Sequence, residues 1–344
     1  IYTLSLHDAL PIYELIVMGV ISFAQTTLAK EIQITSNSKD QGVSAISGNT
    51  IVWTDGRNGN WDIYARTINS DGTLGEEKQI TTDNGVQECP AISGDKIVWE
   101  DKRHGNYDIY LYDLTTNTEK RITIDTRDQV SPSISGDKIV WEDDRNGDWD
   151  VYLYDLKTNT EKQITTDSND QYNPAISDDK IVWRNKRYGN WDIYLYDLAS
   201  NTERRITTDS NDPYNPAISG DKIVWHDKRH GNYDIYLYDL TTNTEKRITT
   251  DNGDQEHPVI SGDKIVWHDD RNGNYDVYLY DLKTNTEKQI TTDNHNQGNP
   301  AISGDKIVWE DDRNGNWDVY LSFIPSTVYR FWSESSQSHF YTIS

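Results

Sequence analysis

The amino-acid sequence predicts an all-β fold: a seven-bladed β-propeller of four-stranded antiparallel blades, its ring closed by the N-terminal strand. Three observations predict it. An Ile-Val-Trp triplet recurs seven times, ending at Trp53, Trp99, Trp141, Trp183, Trp225, Trp267 and Trp309. Its spacing is 46 residues once (99 − 53) and 42 thereafter (141 − 99, for example). A period of about 40–45 residues that holds several short strands is that of a propeller blade. A Gln/Arg-Ile-Thr signature also recurs seven times, at Ile34, Ile80, Ile122, Ile164, Ile206, Ile248 and Ile290, but its first copy precedes every triplet and none follows the last.

Within one repeat, residues 132–173, four strand signals alternate with three turns. The first strand is short, Ser133-Ile134-Ser135, and turns at Gly136-Asp137. The second is Lys138 to Glu142, with consecutive Ile139, Val140 and Trp141. An Asp-Arg-Asn-Gly cluster at 144–147 follows, and Asn-Gly between apolar runs is a type I′ hairpin signal because both residues tolerate positive φ. The third strand runs from Trp149 to Leu156; a Lys-Thr-Asn-Thr turn leads to the fourth, Lys162 to Thr165. Strands two and three lack apolar/polar alternation, as sheets covered on both faces do. The charged fourth strand, with its lysine, reads as the outer rim.

In chain order, residues 1–12 match nothing downstream, resemble a translated sequencing-adaptor tail and are set aside from the fold. Residues 13–29 read as the remnant of a signal peptide: Leu15 to Ala24 is an apolar run too short to span a bilayer, and Thr27-Leu28-Ala29 offers a cleavage site. The propeller is expected over 30–323. Lys30 to Thr35 is a fourth strand without a preceding three, and the seventh copy lacks one, so the two complete each other. Asn69 to Gly75 lengthens one outer turn and accounts for the 46-residue interval. Residues 324–344 leave the period; two aromatic strands, Val328 to Trp332 and His339 to Thr342, read as the truncated start of a C-terminal surface-associated module.

The chain carries 57 acidic and 33 basic residues, a net charge of −24. That balance argues against nucleic-acid backbones and anionic membrane surfaces as partners. One cysteine, Cys89, excludes an internal disulfide framework. No Gly-rich phosphate loop, G-x-S-x-G elbow or H-E-x-x-H motif is present.

The runs P-A-I-S-G-D-K-I-V-W and D-D-R-N-G-N-W-D-V-Y-L at 300–321, with Gln289-Ile290-Thr291, resemble the TolB-like propeller family, which also includes the propellers of prolyl-oligopeptidase-type proteins. The resemblance covers residues 31–321 and is nearest in texture to near-identical repeats of surface proteins from methanogenic archaea and bacteria. TolB itself has six blades and a further N-terminal domain, so seven repeats depart from it and a role with the Tol-Pal envelope system is not expected. In the peptidase relatives a separate α/β-hydrolase domain does the chemistry.

Two charged positions of the second hairpin never change among the copies. Arg57, Arg103, Arg145, Arg187, Arg229, Arg271 and Arg313 occupy one; Asp62, Asp108, Asp150, Asp192, Asp234, Asp276 and Asp318 the other. The expectation is structural ion pairs within each hairpin: Arg145 with Asp150, Arg187 with Asp192, Arg229 with Asp234. No cofactor is expected. Asp143, Asp144, Asn146, Asp148 and Asp150 are oxygen-rich enough to raise Ca²⁺, but Arg145 in their midst and the absence of EF-hand spacing weigh against it. No metal ligand is assigned.

Specificity is sought where copies differ. After the invariant Trp come Thr54, Glu100, Glu142, Arg184, His226, His268 and Glu310, a position read as solvated. His226 and His268, with His257 and His295 in neighbouring loops, form the histidine cluster. Aromatics at the hairpin mouths, Trp61, Tyr107, Trp149, Trp191, Tyr233, Tyr275 and Trp317, offer flat rings beside carboxylates and amides. The expectation is a secreted or cell-surface binding or scaffold module, without catalytic residues. Its protein or glycan ligand docks on the face bearing the second-to-third-strand hairpins. A metal-dependent lyase of the oligogalacturonate type is the enzyme alternative, and a structural spacer of a longer surface protein the other.

Overall fold

The computed structural model describes residues 14–17, 20–25, 31–187, 189–208, 212–324, 328–333 and 338–343. The expected adaptor tail at 1–12 and cleavage site at 27–29 lie outside them. The chain forms two compact units. One, of Ile1–Lys30 and Phe323–Ser344, holds a four-stranded antiparallel sheet in the order Glu14–Val17, Val20–Gln25, Val328–Ser333, Ser338–Ile343. Part of the apolar run read as a leader is thus strand here, and the two aromatic strands of the tail pair with each other.

The other unit, Glu31–Ser322, is a ring of seven four-stranded sheets, with no helix among the described residues. In blade 3 the strands are Gln129–Ser135, Lys138–Asp143, Asp150–Asp155 and Thr160–Gln163. Blade 7 takes three strands from Gln297–Ser303, Lys306–Asp311 and Asp318–Phe323, and its outer strand is Glu31–Gln33. Ile32 faces Leu321 and Gln33 faces Tyr320 across that junction. Beyond it the Ile34 N–H donates to Val319 O at 2.8 Å, and the Thr35 hydroxyl bridges the Val319 N–H (2.8 Å) and Asp318 (3.1 Å). The ring closes through the N-terminal strand, as the displaced repeat count requires.

Side chains on successive residues of one strand point to opposite neighbours, which is why both must be apolar. Val140, Val151, Leu153 and Ile164 pack against Ile176, Ile181, Trp183 and Tyr194 of blade 4. On the other face, Ile139, Trp141 and Tyr152 pack against Val98, Ile109 and Leu111 of blade 2. All seven triplet tryptophans are 0% exposed. The fourth strands are largely exposed, and Lys162 reaches Tyr196 Oη (2.9 Å) and Asn201 (3.2 Å) of the next blade.

Three sequence expectations are corrected. The first strand is not short: it begins at Gln129, paired with Asp143, and a bulge between Val130 and Ser133 admits Pro132 without breaking the ladder. The second hairpin is not a two-residue type I′ turn. Only Gly147 is left-handed (φ 104), and its N–H closes a turn on Asp144 O at 2.9 Å, so six residues separate the strands.

The invariant arginine does not pair with the invariant aspartate that follows it. Arg145 binds Asp143, two residues before it, through Nε (2.8 Å) and Nη2 (2.5 Å), and also Glu161 (2.6 Å). Asp150 instead accepts from Asn146 (3.1 Å), Gln163 (2.9 Å) and the Thr165 hydroxyl (3.0 Å). Arg229 likewise binds Asp227, while Arg247 of the fourth strand reaches Asp234 at 2.7 Å. Arg187, whose blade carries Asn185 at the Asp143 position, turns to Asp167 and Glu203, and Arg205 pairs with Asp192. The reason is steric order: Trp141, Asp143 and Arg145 share one side of the hairpin. The indole donates to Asp143 at 2.9 Å, Trp141 stacks on Tyr152 (6.0 Å), and the guanidinium covers that ring at 4.3 Å. These contacts also commit Asp143 and Asp150 to protein donors.

Candidate binding face

The hairpins between second and third strands share one side of the disc with the links that enter each new blade. The Trp149 N–H donates to Asp170 (3.1 Å) and Trp149 O accepts from the Gln171 N–H (2.7 Å). Asn106 ties the same loops in blade 2 through Asp125 O (3.0 Å) and Arg127 O (2.6 Å). The Gly136 turns meet one another separately, Gly136 N–H donating to Ser93 Oγ at 2.9 Å.

Trp61, Tyr107, Trp149, Trp191, Tyr233, Tyr275 and Trp317 are all half-buried on this face. They contact neighbours without being enclosed. Tyr172 lies between Trp149 (6.3 Å) and Trp191 (5.7 Å). The Arg184 guanidinium covers both Trp191 (4.0 Å) and Tyr214 (3.7 Å). Tyr214 stacks on His226 (5.7 Å), which meets Tyr233 edge-on (5.0 Å) and His257 (5.8 Å). His257 then meets His268 (4.8 Å), and His268 meets Tyr275 (4.8 Å). Rings and a guanidinium thus form a continuous arc over blades 3 to 6. His295 is not part of it: that ring sits in an exposed loop on Asp293 (2.7 Å).

The residue after each triplet tryptophan, read as solvated, is buried in all seven blades, from Thr54 at 2% to His268 and Glu310 at 8% exposed. It faces the first-strand bulge of the next blade. Glu100 accepts the Ser131 N–H (2.7 Å), Glu142 that of Asn173 (2.7 Å), His226 that of His257 (3.2 Å) and His268 that of Asn299 (3.2 Å); Glu310 accepts that of Val43. The bulge residues Val43, Cys89, Ser131, Asn173, Asn215, His257 and Asn299 are all left-handed, with φ between 42 and 54. This collar escaped the sequence reading, although the recurrent proline just after six of these positions marks a bulge in the strand.

The collar is polarised. Acids stand in blades 7, 2 and 3 (Glu310, Glu100, Glu142); Arg184, His226 and His268 stand in blades 4, 5 and 6. Burial pushes Glu142 up to about 7 and also raises Glu100 and Glu310. Burial, reinforced by nearby histidines, pushes His226 down to about 3 and His257 to about 4, so both are neutral at pH 7. Because His226 Nδ1 accepts a backbone N–H, its proton sits on Nε2. Burial, with Glu100 and Glu88 adding to it, pushes the Cys89 thiol up, away from thiolate chemistry.

Two cavities open here. One of about 460 Å³ is lined by the bulge residues Asn173, Asn215, His257 and Asn299 and the prolines that follow them. A second, of about 310 Å³, lies where blades 7 and 1 meet, between Trp61 and Trp317. Among the described residues no three His, Cys, Asp or Glu side chains are placed to hold a metal ion.

A ring of seven blades with one loop face around a central opening defines the class as a closed β-propeller. The TolB beta propeller domain family matches residues 13–224, and the chain belongs to that family. Solved structures share the fold. TolB from Acinetobacter baumannii is 17% identical with a TM-score of 0.52, covering 95% of this chain and 80% of that one. An oligogalacturonate lyase from Vibrio parahaemolyticus is 14% identical with a TM-score of 0.66, covering 89% and 98%. The β-propeller domain of the Trilobed protease from Pyrococcus furiosus is 14% identical with a TM-score of 0.60, covering 92% and 96%. Enzymes and non-enzymes both appear, and identities this low show the fold alone. A comparison with curated proteins found no match.

Proposed function

We propose that this propeller is a non-catalytic binding or scaffold module, secreted or at the cell surface, whose protein or glycan ligand docks on the hairpin face. The observation that carries this reading is the half-buried row Trp149, Tyr172 and Trp191, spanning two blades. Such rings stack on sugars or on apolar and cationic side chains, and contacts in several blades gain by multivalency. Glycan-array binding, and capture of a purified ligand so found, fall when Trp149, Trp191 and Trp317 become Ala in a still-folded protein. Binding that survives this triple change but is lost on altering the Thr158-Asn159-Thr160-Glu161 turns overturns the docking side.

A lyase is the second reading, favoured by the meeting of His226, His257 and His268 near Glu256 and Tyr275. Release of unsaturated product from oligogalacturonate, with and without Mn²⁺, tests it.

A further inference from the structure

The facing residues of the collar differ from blade to blade, and at one junction they are small. Opposed across the first and second strands stand Glu88 and Glu100, Val130 and Glu142, Tyr172 and Arg184, Tyr214 and His226, Glu256 and His268, and Gly298 and Glu310. In blade 1 the pair is Gly42 and Thr54, the smallest of the seven. The 310 Å³ cavity lies there, walled by Trp61 and Trp317 and edged by Asp40, Glu88 and Glu310.

Its polar groups are unbalanced. The Thr54 hydroxyl already donates to Gly42 O (2.7 Å), and Asn299 Nδ2 donates to Glu310 Oε2 (3.0 Å). Gln41 also lines the cavity, and its amide donates to Lys39 O. The Gln41 side chain is 0% exposed, yet its Oε1 has no partner. That carbonyl is unpartnered in other blades too, but there the facing pair is bulkier. Three carboxylates and an orphan carbonyl therefore border a space whose lining includes no Lys, Arg or His. Burial holds the Glu88 and Glu310 carboxyls above the usual range, opposed by Lys102 at Glu88 and by the Asn299 and Val43 donors and His268 at Glu310; a cation inside the acceptor-rich lining is the occupant that offsets the remaining desolvation.

We propose that this cavity is a subsite for an arginine side chain of a protein partner, the guanidinium lying against Trp61 and Trp317 and donating to Glu88, Glu310 and Gln41. The inference rests on the reading that this face binds a ligand, and deepens it. Arginine fits better than lysine because its planar cation stacks on indole and carries five donors for an acceptor-rich wall. A net charge of −24 steers such a partner to the propeller.

Calorimetric titration of the whole chain with N-acetyl-argininamide, N-acetyl-lysinamide and N-acetylglucosamine tests it. The arginine probe is expected to bind most tightly. Thr54→Arg, which places blade 4's own residue across the gap, is expected to weaken it at least ~10-fold, as are Glu88→Gln and Glu310→Gln. Glu88 is half-buried, so its variant remains informative should the others fail to fold. Absence of saturable arginine binding, equal binding of the sugar, or unchanged affinity in folded Thr54→Arg or Glu88→Gln each overturns the subsite. If ligand capture through Trp149 and Trp191 persists while the arginine probe fails, the subsite falls and the binding function stands.

Discussion

Glu142 of blade 3 accepts the backbone N–H of Asn173 in blade 4 at 2.7 Å, and Asn173 holds a left-handed backbone with φ 54. A non-glycine residue in that conformation needs surrounding contacts to hold it there. Here the next blade back supplies the acceptor, so the strained residue and the blade-to-blade seam stabilise each other. Where the collar residue is Arg184, a donor only, this bond to Asn215 cannot form, and the guanidinium lies on Tyr214 instead.

Glu142 makes stability fall as pH rises. Its folded value is about 7 against an ordinary 4.5, chiefly through burial, so the folded state binds more protons than the unfolded one across that window. The contribution is complete below about 4.5 and lost as pH passes 7. Glu142→Gln is expected to be more stable than the parent at pH 8, by on the order of 2 kcal/mol, with the difference vanishing below about pH 4.5. Paired urea melts at the two pH values check this; a constant difference between them contradicts it.

His226 acts with the opposite sign. Burial lowers it from 6.5 to about 3, with His257, His268 and Arg184 adding to the effect and Glu256 opposing it. The unfolded chain therefore takes up the proton first, and stability is lost as pH falls below about 6.5. His226→Gln is expected to flatten the acid limb of a melting-temperature profile between pH 6.5 and 4, by on the order of 2 kcal/mol at the acid end. An unchanged acid limb refutes the assignment.

The hairpin ion pair is tested by a double-mutant cycle. Arg145 and Asp143 are bidentate partners, and the Asp143 side chain is 0% exposed. Arg145→Ala and Asp143→Ala are expected to couple by ~1–3 kcal/mol, whereas Arg145→Ala and Asp150→Ala add nearly independently. The reverse ranking would restore the pairing read from the sequence.

Removing residues 31–35 deprives blade 7 of its outer strand, of the Thr35 bonds to Val319 and Asp318, and of the Glu31 partner of Arg313 (2.7 Å). The melting temperature is expected to drop by more than ~5 °C. A deletion variant that melts like the parent places ring closure elsewhere.

The sequence by itself determined the blade count, the meander within each blade and the strand that closes the ring. Those follow from period and parity: seven Ile-Val-Trp triplets, seven Gln/Arg-Ile-Thr signatures, and apolar residues on both sides of strands that are covered on both sides. Spacing alone could not choose the partner of Arg145, because Asp143 and Asp150 are both near it in the chain and only the shared side of the hairpin separates them. Nor could it show that Glu142, Arg184 and His226 are buried, since strand parity says which blade a side chain faces but not how closely that blade approaches. The tertiary structure decided both. It bent each first strand at a left-handed residue, brought that bulge over the collar of the preceding blade, and so turned a position that merely varies between repeats into one where acids gather on blades 7, 2 and 3 and bases on blades 4 to 6.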